Sequence, residues 1–323
     1  MAIDWSPFVD FVRTHHRFLL MTHVRPDGDA LGCELALADA LQRLGKQTKV
    51  VIASDMPPRY SFLDPERKTI HRFDPKDATN ADFDAVVISD TGTWGQIGDF
   101  GTWLKTSTVD RAVIDHHVTQ DALGGLLLQD TSAEACGRLI HEAMLALGVP
   151  HTKASAEYLF MALAMDTGWF HHERTLPRTF ELAADLARAG ANPKDLYEIL
   201  YEQNTEGRLR LMARVLERLV VKGKIAYSIV MLKDYEEMAA VPGDTEDLID
   251  LPRGLAGVEI ALMFMEQPGG GIKMSFRSRG KYDVSKVAVQ FGGGGHSLAC
   301  GASSNDDMPT TVAKVVAAAE KIL

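Results

Sequence analysis

Three consecutive polar residues, Asp115, His116 and His117, follow the short apolar run from Ala112 to Ile114. Such a run predicts a buried strand, and ligands in open α/β folds gather where strands end. Successive side chains of a strand point to opposite faces, so we expect the two imidazoles to have different roles. One can bind a metal ion while the other faces a substrate. A hydrogen-bonded loop without chemistry is the alternative for this motif alone.

A second loop with carboxylates and an imidazole contains His23, Asp27 and Asp29. It lies between a strand predicted over 17–22 and a helix predicted over 31–44. Carboxylate oxygens suit hard divalent cations, and manganese also accepts an imidazole nitrogen. The loop therefore predicts a metal site. The alternative is that Asp27 or Asp29 only caps the helix.

Two further carboxylates stand at the ends of apolar segments. Asp90 follows a strand predicted over 83–89, and Asp166 follows a helix predicted over 155–165. Alternating strands and helices with short connections predict an α/β fold with a parallel, doubly wound sheet. Because the loops of such a sheet open on one edge, we expect six side chains to meet there and hold two divalent ions, with Asp90 bridging them. These six are His23, Asp27, Asp29, Asp90, His116 and Asp166.

The chain changes character from about residue 224. Strand-like runs over 225–232 and 258–265, followed by three glycines at 269–271, predict a second, smaller α/β domain that contains a hairpin. In the run over 272–279, every second residue is polar or basic, and we expect these residues to share one face of a strand. A solvated strand face is the alternative. The alternating residues are Lys273, Ser275, Arg277 and Arg279.

A run of four glycines over 292–295 precedes His296. Glycines let main-chain N–H groups approach a phosphate, and the histidine adds a titratable donor. Because a strand with arginines precedes this loop, we expect the two to bind a substrate phosphate together. A flexible turn is the alternative. The candidate substrate-binding residues are Ser275, Arg277, Gly293, Gly294, Gly295 and His296.

Composition narrows the function classes. The chain has 323 residues and a formal net charge of -10, which excludes a protein that coats long nucleic acid through a broad basic face. Small phosphorylated substrates stay compatible, because bound cations make an acidic site locally positive. No apolar run is long enough for a membrane span and residues 1–10 lack a signal-peptide pattern, so we expect a cytoplasmic protein without a membrane partner. We expect Cys33, Cys136 and Cys300 to be reduced core thiols.

Taken together, the motifs His23-x-x-x-Asp27-x-Asp29, Asp90, Asp115-His116-His117 and Asp166-Thr167-Gly168 resemble those of the DHH phosphoesterase family. The resemblance implies a parallel-sheet domain with two metals, usually manganese, with magnesium or cobalt as alternatives. It implies that His23 and Asp27 bind one metal and Asp90 binds both. It implies that Asp29, His116 and Asp166 bind the other metal. Asp115 would orient a ligand imidazole, and His117 would contact the reacting phosphate.

The segments 275–278 and 292–296 resemble the DHH-associated C-terminal domain of the family's oligoribonucleases and phosphatases of 3'-phosphoadenosine 5'-phosphate (pAp). We predict a catalytic domain over 1–190, a helical linker over 191–223 and a substrate-binding domain over 224–323. The resemblance implies hydrolysis of short single-stranded RNA oligonucleotides, of pAp or of both, by a water that two metals activate. It is also compatible with a homodimer.

Three other functions stay open at this point. They are a phosphodiesterase of cyclic or linear dinucleotides, an inorganic pyrophosphatase, and a nucleotide-binding regulator without catalysis. The chain also departs from the family pattern at Gln96, at Cys136 and at His171-His172. These departures concern the substrate preference rather than the metal binding.

Overall fold

The computed structural model describes residues 3–74 and 83–323. The chain divides into two compact units, Met1–Glu202 and Gln203–Leu323. The division falls inside the segment that we predicted as a helical linker. The strands of the first unit are β1 (Arg17–Met21), β2 (Gln47–Ile52), β3 (Ile70–Arg72), β4 (Ala85–Ser89), β5 (Asp110–Asp115) and β6 (Leu126–Gln129).

The strands of the first unit form one parallel sheet in the order β3-β2-β1-β4-β5-β6. The residues of β4 are all buried, as expected for a parallel strand that is covered on both faces. After β1 the chain builds one half of the sheet, and at β4 it returns to the other side of β1 and builds the second half. The gap between the ends of β1 and β4 is therefore a topological switch point, where α/β folds bind ligands.

Helices cover both faces of this sheet. One core contains Phe18 and Leu20 of β1 together with helices 28–43, 136–146 and 153–166, and the other contains Leu19 and Met21 together with helix 98–106. This alternation follows from the two-residue period of a strand. The helices of this unit are α1 (Ser6–Thr14), α2 (Gly28–Arg43), α3 (Gly98–Thr106), α4 (Cys136–Ala146), α5 (Lys153–Asp166), α6 (Pro177–Arg188) and α7 (Pro193–Tyr201).

Close packing of α2 on α5 depends on a glycine. A Cβ atom at Gly32 would lie 2.4 Å from the carbonyl oxygen of Tyr158. A side chain at this position would push the two helices apart. The close approach matters for function, because α2 begins and α5 ends at the acidic residues that were predicted to bind metal.

The second unit contains a mixed sheet with the order β11-β12-β10-β9-β8-β7, in which β8 and β9 are parallel and the other pairs are antiparallel. Its strands are β7 (Val220–Lys222), β8 (Ile225–Val230), β9 (Ile260–Glu266), β10 (Ile272–Ser278), β11 (Gly294–Gly295) and β12 (Ala299–Ser304). Its helices are α8 (Glu206–Glu217), α9 (Leu232–Glu237), α10 (Asp250–Arg253), α11 (Ser285–Ala288) and α12 (Met308–Glu320).

The fold class predicted from the sequence is confirmed: a parallel sheet with helices in the first unit and a second α/β unit after it. The glycines at 269–271 lie in the β9–β10 hairpin connection, where Gly270 and Gly271 have φ angles of 89° and 81°. Within the predicted linker, α7 packs on the core of the first unit, whereas Leu211 and Val215 of α8 pack against the second sheet. The predicted domain limits stay a prediction.

Two further sequence expectations can be compared with the structure. Cys33, Cys136 and Cys300 are free and buried, as expected for core thiols. Within the described residues, no helix combines the length and the apolar character that are needed to cross a lipid bilayer.

Candidate metal centre and substrate-binding face

Asp90 lies at the switch point, directly after β4. Its backbone is left-handed, with a φ angle of 60°, which is uncommon for residues other than glycine but accessible to aspartate. The Asp90 N–H donates to the Ile114 carbonyl at 3.0 Å, which holds this conformation beside β5. The side chain is buried, and its Oδ1 atom has no hydrogen-bond partner among the described residues. A bound cation would satisfy such an atom.

Three groups of potential ligands meet at Asp90 or beside it, and one of them, Asp90 with His116 and His117, includes a side chain that was not predicted to bind metal. His23, Asp27 and Asp90 form one group, and the ligand atoms in it lie within 4.8 Å of one another. Asp29, His116 and Asp166 form another group by the same criterion, and His116 Nε2 lies 3.3 Å from Asp90 Oδ1. The structure therefore brings together all six predicted ligands, which we call the acidic cluster. Their combination of carboxylate oxygen and imidazole nitrogen suits a divalent transition metal such as manganese.

Both histidines of the acidic cluster are oriented by a hydrogen bond from their other ring nitrogen. His23 Nδ1 donates to the Val24 carbonyl at 3.0 Å, and His116 Nδ1 donates to the Ala133 carbonyl at 3.1 Å. In each ring the Nε2 atom consequently faces the carboxylates. This arrangement is typical of metal-binding histidines, in which the second nitrogen fixes the tautomer and the direction of the ring.

The two aspartates of the 27–29 loop also have structural roles. Asp27 Oδ1 accepts hydrogen bonds from the N–H groups of Asp29 and Ala30 at 3.0 and 3.1 Å, so Asp27 caps α2 and belongs to the acidic cluster at once. The fully buried Asp29 carboxylate accepts the N–H groups of Cys136 and Gly137 at 2.6 and 2.8 Å. Asp29 thus joins the first turn of α4 to α2. Capping and ligation are not exclusive, because a carboxylate has about four acceptor positions on its two oxygens and these hydrogen bonds occupy only some of them.

Asp115 lies beneath the two histidines rather than among the potential ligands. Its Oδ1 atom accepts the His116 N–H at 2.9 Å and His117 Nδ1 at 2.8 Å, and its Oδ2 atom accepts Gln120 Nε2. The His117 ring is partly exposed, and its Nδ1 atom lies 3.8 Å from Asp90 Oδ1. His117 thus lies beside Asp90, and Asp115 fixes its tautomer by accepting the Nδ1 proton.

Electrostatics indicate that the acidic cluster needs positive charge. Burial favours neutral imidazoles, but the nearby Asp90 carboxylate and the other carboxylates of the cluster outweigh it and raise the pKa of both His23 and His116 to about 10. For Asp166, burial together with the charges of Asp90 and Asp27 outweighs His116 and raises the pKa to about 7. The carboxylates thus hold protons on nearby groups, and divalent cations would supply the same positive charge.

The second unit carries the other predicted residues. Along β10 the side chains of Ile272, Met274 and Phe276 are buried, whereas Lys273 is exposed and Arg277 is partly exposed. In the sheet register, Ser275 pairs with Gly301, and Gly301 pairs with Gly294. We call this surface the basic face. It consists of Lys273, Ser275, Arg277 and the glycine loop 293–296.

The glycines of the basic face have different surroundings. A Cβ at Gly293 would lie 2.1 Å from the Gly301 carbonyl oxygen, so this glycine is required for pairing with β12. A Cβ at Gly294 would contact no atom within 4 Å. Arg279 was predicted to share the strand face, but it follows the last residue of β10 and donates from Nε and Nη2 to the Arg253 carbonyl. These hydrogen bonds give Arg279 a structural role.

Several residues around the acidic cluster have supporting contacts that the sequence did not reveal. Gln120 holds Asp115, and the Gln96 carbonyl accepts the Val24 N–H at 2.6 Å, which joins the loops after β1 and β4. The Thr167 hydroxyl donates to the Leu163 carbonyl at 2.6 Å and accepts the Phe170 N–H at 3.2 Å. The one indication in the sequence that Gln120 has a role is its closeness along the chain to the Asp115-His116-His117 motif.

Comparison with known proteins places these motifs in a wider context. The family profile described as "DHH family, N-terminal domain" matches residues 17–165, and the profile of the DHHA1 domain matches residues 222–323. The bifunctional oligoribonuclease and PAP phosphatase NrnA of Bacillus subtilis (strain 168) is 28% identical over 303 residues, which cover 91% of this chain and 92% of that protein.

Two solved structures show the same fold. The exopolyphosphatase-related protein from Bacteroides fragilis superposes with a TM-score of 0.93 at 23% identity, and the match covers 99% of this chain and 97% of that one. RecJ from Thermus thermophilus in complex with Mn²⁺ gives a TM-score of 0.57 at 14% identity and covers 98% of this chain and 54% of that one.

Proposed function

The chain belongs to the DHH family of phosphoesterases, and on that premise we propose that it hydrolyses short RNA oligonucleotides, pAp or both to mononucleotides with the help of two divalent cations. The observation that carries the proposal is the position of Asp90. Its two oxygens face the two histidines of the acidic cluster, at 3.5 Å from His23 Nε2 and at 3.3 Å from His116 Nε2. One carboxylate between two sets of ligands suits a pair of cations.

The acidic cluster would hold the cations in two sets. His23, Asp27 and Asp90 would bind the first cation, and Asp29, His116, Asp166 and again Asp90 would bind the second. When bound, two such cations lower the pKa of a water and neutralise charge on a phosphoryl group. Manganese fits this mixture of oxygen and nitrogen donors, with magnesium and cobalt as alternatives.

The protein's own residues would bind and orient the phosphoryl group. Asp115 accepts the proton of His117 Nδ1, so Nε2 is the ring nitrogen that would act on the substrate. Although burial opposes it, the hydrogen bond to Asp115 and the charge of Asp90 raise the pKa of His117, which favours the protonated ring. His117 would therefore donate a hydrogen bond to the phosphoryl oxygen or protonate the leaving oxygen.

The basic face would bind a second phosphate of the substrate. Arg277 offers a planar fork of N–H donors that matches phosphate geometry, and Ser275 adds a hydroxyl on the same strand face. Gly294 and Gly295 are exposed, so main-chain groups there are accessible to a ligand, and His296 follows them. A terminal phosphate is common to short oligonucleotides and pAp, so one such surface can serve both substrates.

The product profile of the purified protein tests the proposal. Separate incubations with manganese would contain pApA, pAp, cyclic di-AMP or pyrophosphate, and Asp90→Ala protein would serve as the negative control. Hydrolysis of pApA or pAp that is lost in the variant supports the proposal, and the relative rates identify the preferred substrate. Cleavage of cyclic di-AMP or pyrophosphate alone would assign the chemistry to another substrate. If all four compounds persist although manganese binds, the hydrolase proposal fails and the alternative of a nucleotide-binding regulator is favoured.

A further inference from the structure

A group of aromatic side chains follows Asp166 in the first unit and has no part in the chemistry described above. Trp169 stands edge-on to Tyr197 and Tyr201, with ring centroids 5.1 and 5.5 Å apart. Phe170 stacks on Phe180 with centroids 5.6 Å apart and an interplanar angle of 26°. We call these five residues the aromatic ledge. It joins the turn after α5 to the surfaces of α6 and α7.

The outer members of the aromatic ledge are too exposed for rings that serve only as core. Phe180 is 55% exposed although Phe170 stacks against it, and Tyr197 is 39% exposed although it stacks on Tyr201 at 5.0 Å. Each stack therefore ends in an aromatic ring that solvent can reach. A partly exposed ring on a rigid stack is the arrangement with which proteins bind the bases of single-stranded nucleic acids.

The inner members are held close to the acidic cluster in an unfavourable conformation. Gly168, Trp169 and Phe170 have successive φ angles of 56°, 57° and 66°, a left-handed turn that bulky residues rarely adopt. Hydrogen bonds from Trp169 N to the Ala164 carbonyl at 2.6 Å and from Phe170 N to the Thr167 hydroxyl maintain it. Backbone strain of this kind concentrates at functional sites. The same turn thus presents Asp166 to the acidic cluster and Trp169 and Phe170 to the aromatic ledge.

The charge next to the aromatic ledge also suits a nucleotide. The guanidinium carbon of Arg59 lies 4.7 Å from the centroid of the Tyr201 ring, and Arg59 Nε donates to the Leu200 carbonyl at 3.1 Å. These contacts fix a cation beside the rings. A ligand with an aromatic base and a phosphate backbone matches both features, whereas a purely apolar partner would match the rings alone.

We propose that the aromatic ledge stacks a nucleobase of the bound oligonucleotide, with Phe180 as the exposed contact. This inference rests on the proposed function and extends it, because it assigns recognition of a base to the first unit. Stacking accepts every base, since every base has a π-face. The aromatic ledge would therefore favour nucleotides over other phosphate esters without selecting a sequence.

A comparison of two substrates tests the proposal. One substrate is pApA, and the other is the same dinucleotide backbone with both bases replaced by hydrogen. Phe180→Ala is expected to raise the KM for pApA about tenfold, with kcat nearly unchanged, and to leave the KM for the abasic compound unaltered. Phe180→Tyr keeps a ring at this position and is expected to restore the wild-type KM. Leu145→Ala, at a residue that is 58% exposed on α4, is the matched control and should change neither value.

Three results would overturn the proposal. An equal rise of KM for both substrates would mean that Phe180 only supports the fold, and unchanged KM values for both would mean that no base contacts it. A change in sedimentation without a change in base preference would make the aromatic ledge a contact between two copies of the chain.

A binding measurement distinguishes failure of this inference from failure of the proposed function. If the wild-type protein cleaves neither substrate, the proposed function fails. The stacking is then decided by the fluorescence of a dinucleotide that contains 2-aminopurine, measured in the presence of manganese. Quenching by the wild type that Phe180→Ala abolishes supports the aromatic ledge as a base-binding surface, and the absence of quenching refutes it.

Discussion

The acidic cluster of the first unit and the basic face of the second unit differ in how firmly their side chains are held. In the acidic cluster, His23, His116 and Asp29 each have a hydrogen bond that fixes their direction, and Asp90 is buried. On the basic face, Lys273 is exposed and Arg277 donates to the carbonyl of its own neighbour Phe276. Breaking a bond requires atoms at fixed positions, whereas binding a phosphate tolerates mobile donors. Damage to the cluster should therefore lower kcat, and damage to the basic face should raise KM.

The largest effect is expected from Asp90→Ala. Loss of the shared carboxylate should reduce turnover of pApA by about 10³-fold or more, because several kcal/mol of charge stabilisation depend on the cations. Calorimetric titration should show that manganese binding is lost in parallel. Asp99→Ala, an exposed carboxylate in the first turn of α3, is the control and should retain both properties. Full activity of Asp90→Ala would remove the basis for a shared carboxylate.

Asp115→Asn is expected to show that Asp115 positions His117 and does not bind a metal. Asparagine keeps the shape of Asp115 but cannot stabilise a protonated His117, so kcat should fall about 10- to 100-fold. Because Asp115 is not in the acidic cluster, the affinity for manganese should change far less than in Asp90→Ala. A loss of manganese binding as severe as that of Asp90→Ala would instead make Asp115 a ligand.

The pH dependence of cation binding should reveal the charge imbalance of the acidic cluster. The pKa values of His23 and His116 are raised to about 10, so both rings carry protons at pH 7 and must release them to bind a metal. The apparent affinity for manganese should consequently rise with pH, by about tenfold per pH unit for each proton released. Calorimetry at pH 7 and pH 8 measures this slope, and an affinity that is independent of pH would contradict the proposed ligands.

A smaller effect is expected on the basic face. Arg277→Ala should raise the KM for pApA about tenfold and leave kcat nearly unchanged, since charge-assisted hydrogen bonds to a phosphate are lost. Arg277→Lys should lie between, because lysine keeps the charge but not the planar fork. An unchanged KM together with a lower melting temperature would show that Arg277 supports the fold instead.

The smallest effects are expected from substitutions at two adjacent glycines, which should differ in their effect on stability. Gly293→Ala should destabilise the second unit by about 1–3 kcal/mol, because its Cβ would collide with the Gly301 carbonyl. Gly294→Ala has room for the methyl group and should stay within about 0.5 kcal/mol of the wild type in unfolding experiments. If main-chain groups at this loop bind phosphate, Gly294→Ala should still raise KM a few-fold. Equal stability of the two variants would refute the steric distinction.

The parts of the fold that the sequence predicted well are those with strong hydrophobic patterns. The apolar runs that became β1, β4 and β5 were identified within two residues at each end. In contrast, β3 and β6 were missed, because three or four residues at the edge of a sheet give too weak a pattern. The start of α4 at Cys136 was also not evident from the sequence, since it is set by a turn in which Asp130 accepts hydrogen bonds from the N–H and hydroxyl of Ser132.

The residues of the candidate site could be predicted from the sequence, but the hydrogen bonds and backbone conformations that position them could not. Spacing brought His23, Asp27 and Asp29 to one loop, and the doubly wound topology brought that loop to Asp90. The bond between Asp29 and the first turn of α4 joins positions more than a hundred residues apart, and no local pattern encodes it. The left-handed backbone of Asp90 is likewise held by a long-range hydrogen bond, from its N–H to the Ile114 carbonyl, and the residue types of Trp169 and Phe170 gave no indication of their left-handed turn.

The order of the potential ligands along the chain has a consequence for protein synthesis. His23 is made early and Asp166 much later, and the sheet that unites them needs β4 and β5 in between. A nascent chain therefore has no complete centre until Asp166 has left the ribosome and the parallel strands have paired, which is a slow step in such topologies. Incomplete chains consequently lack part of the acidic cluster, and cations that together contact all six potential ligands would report that folding of the first unit has finished.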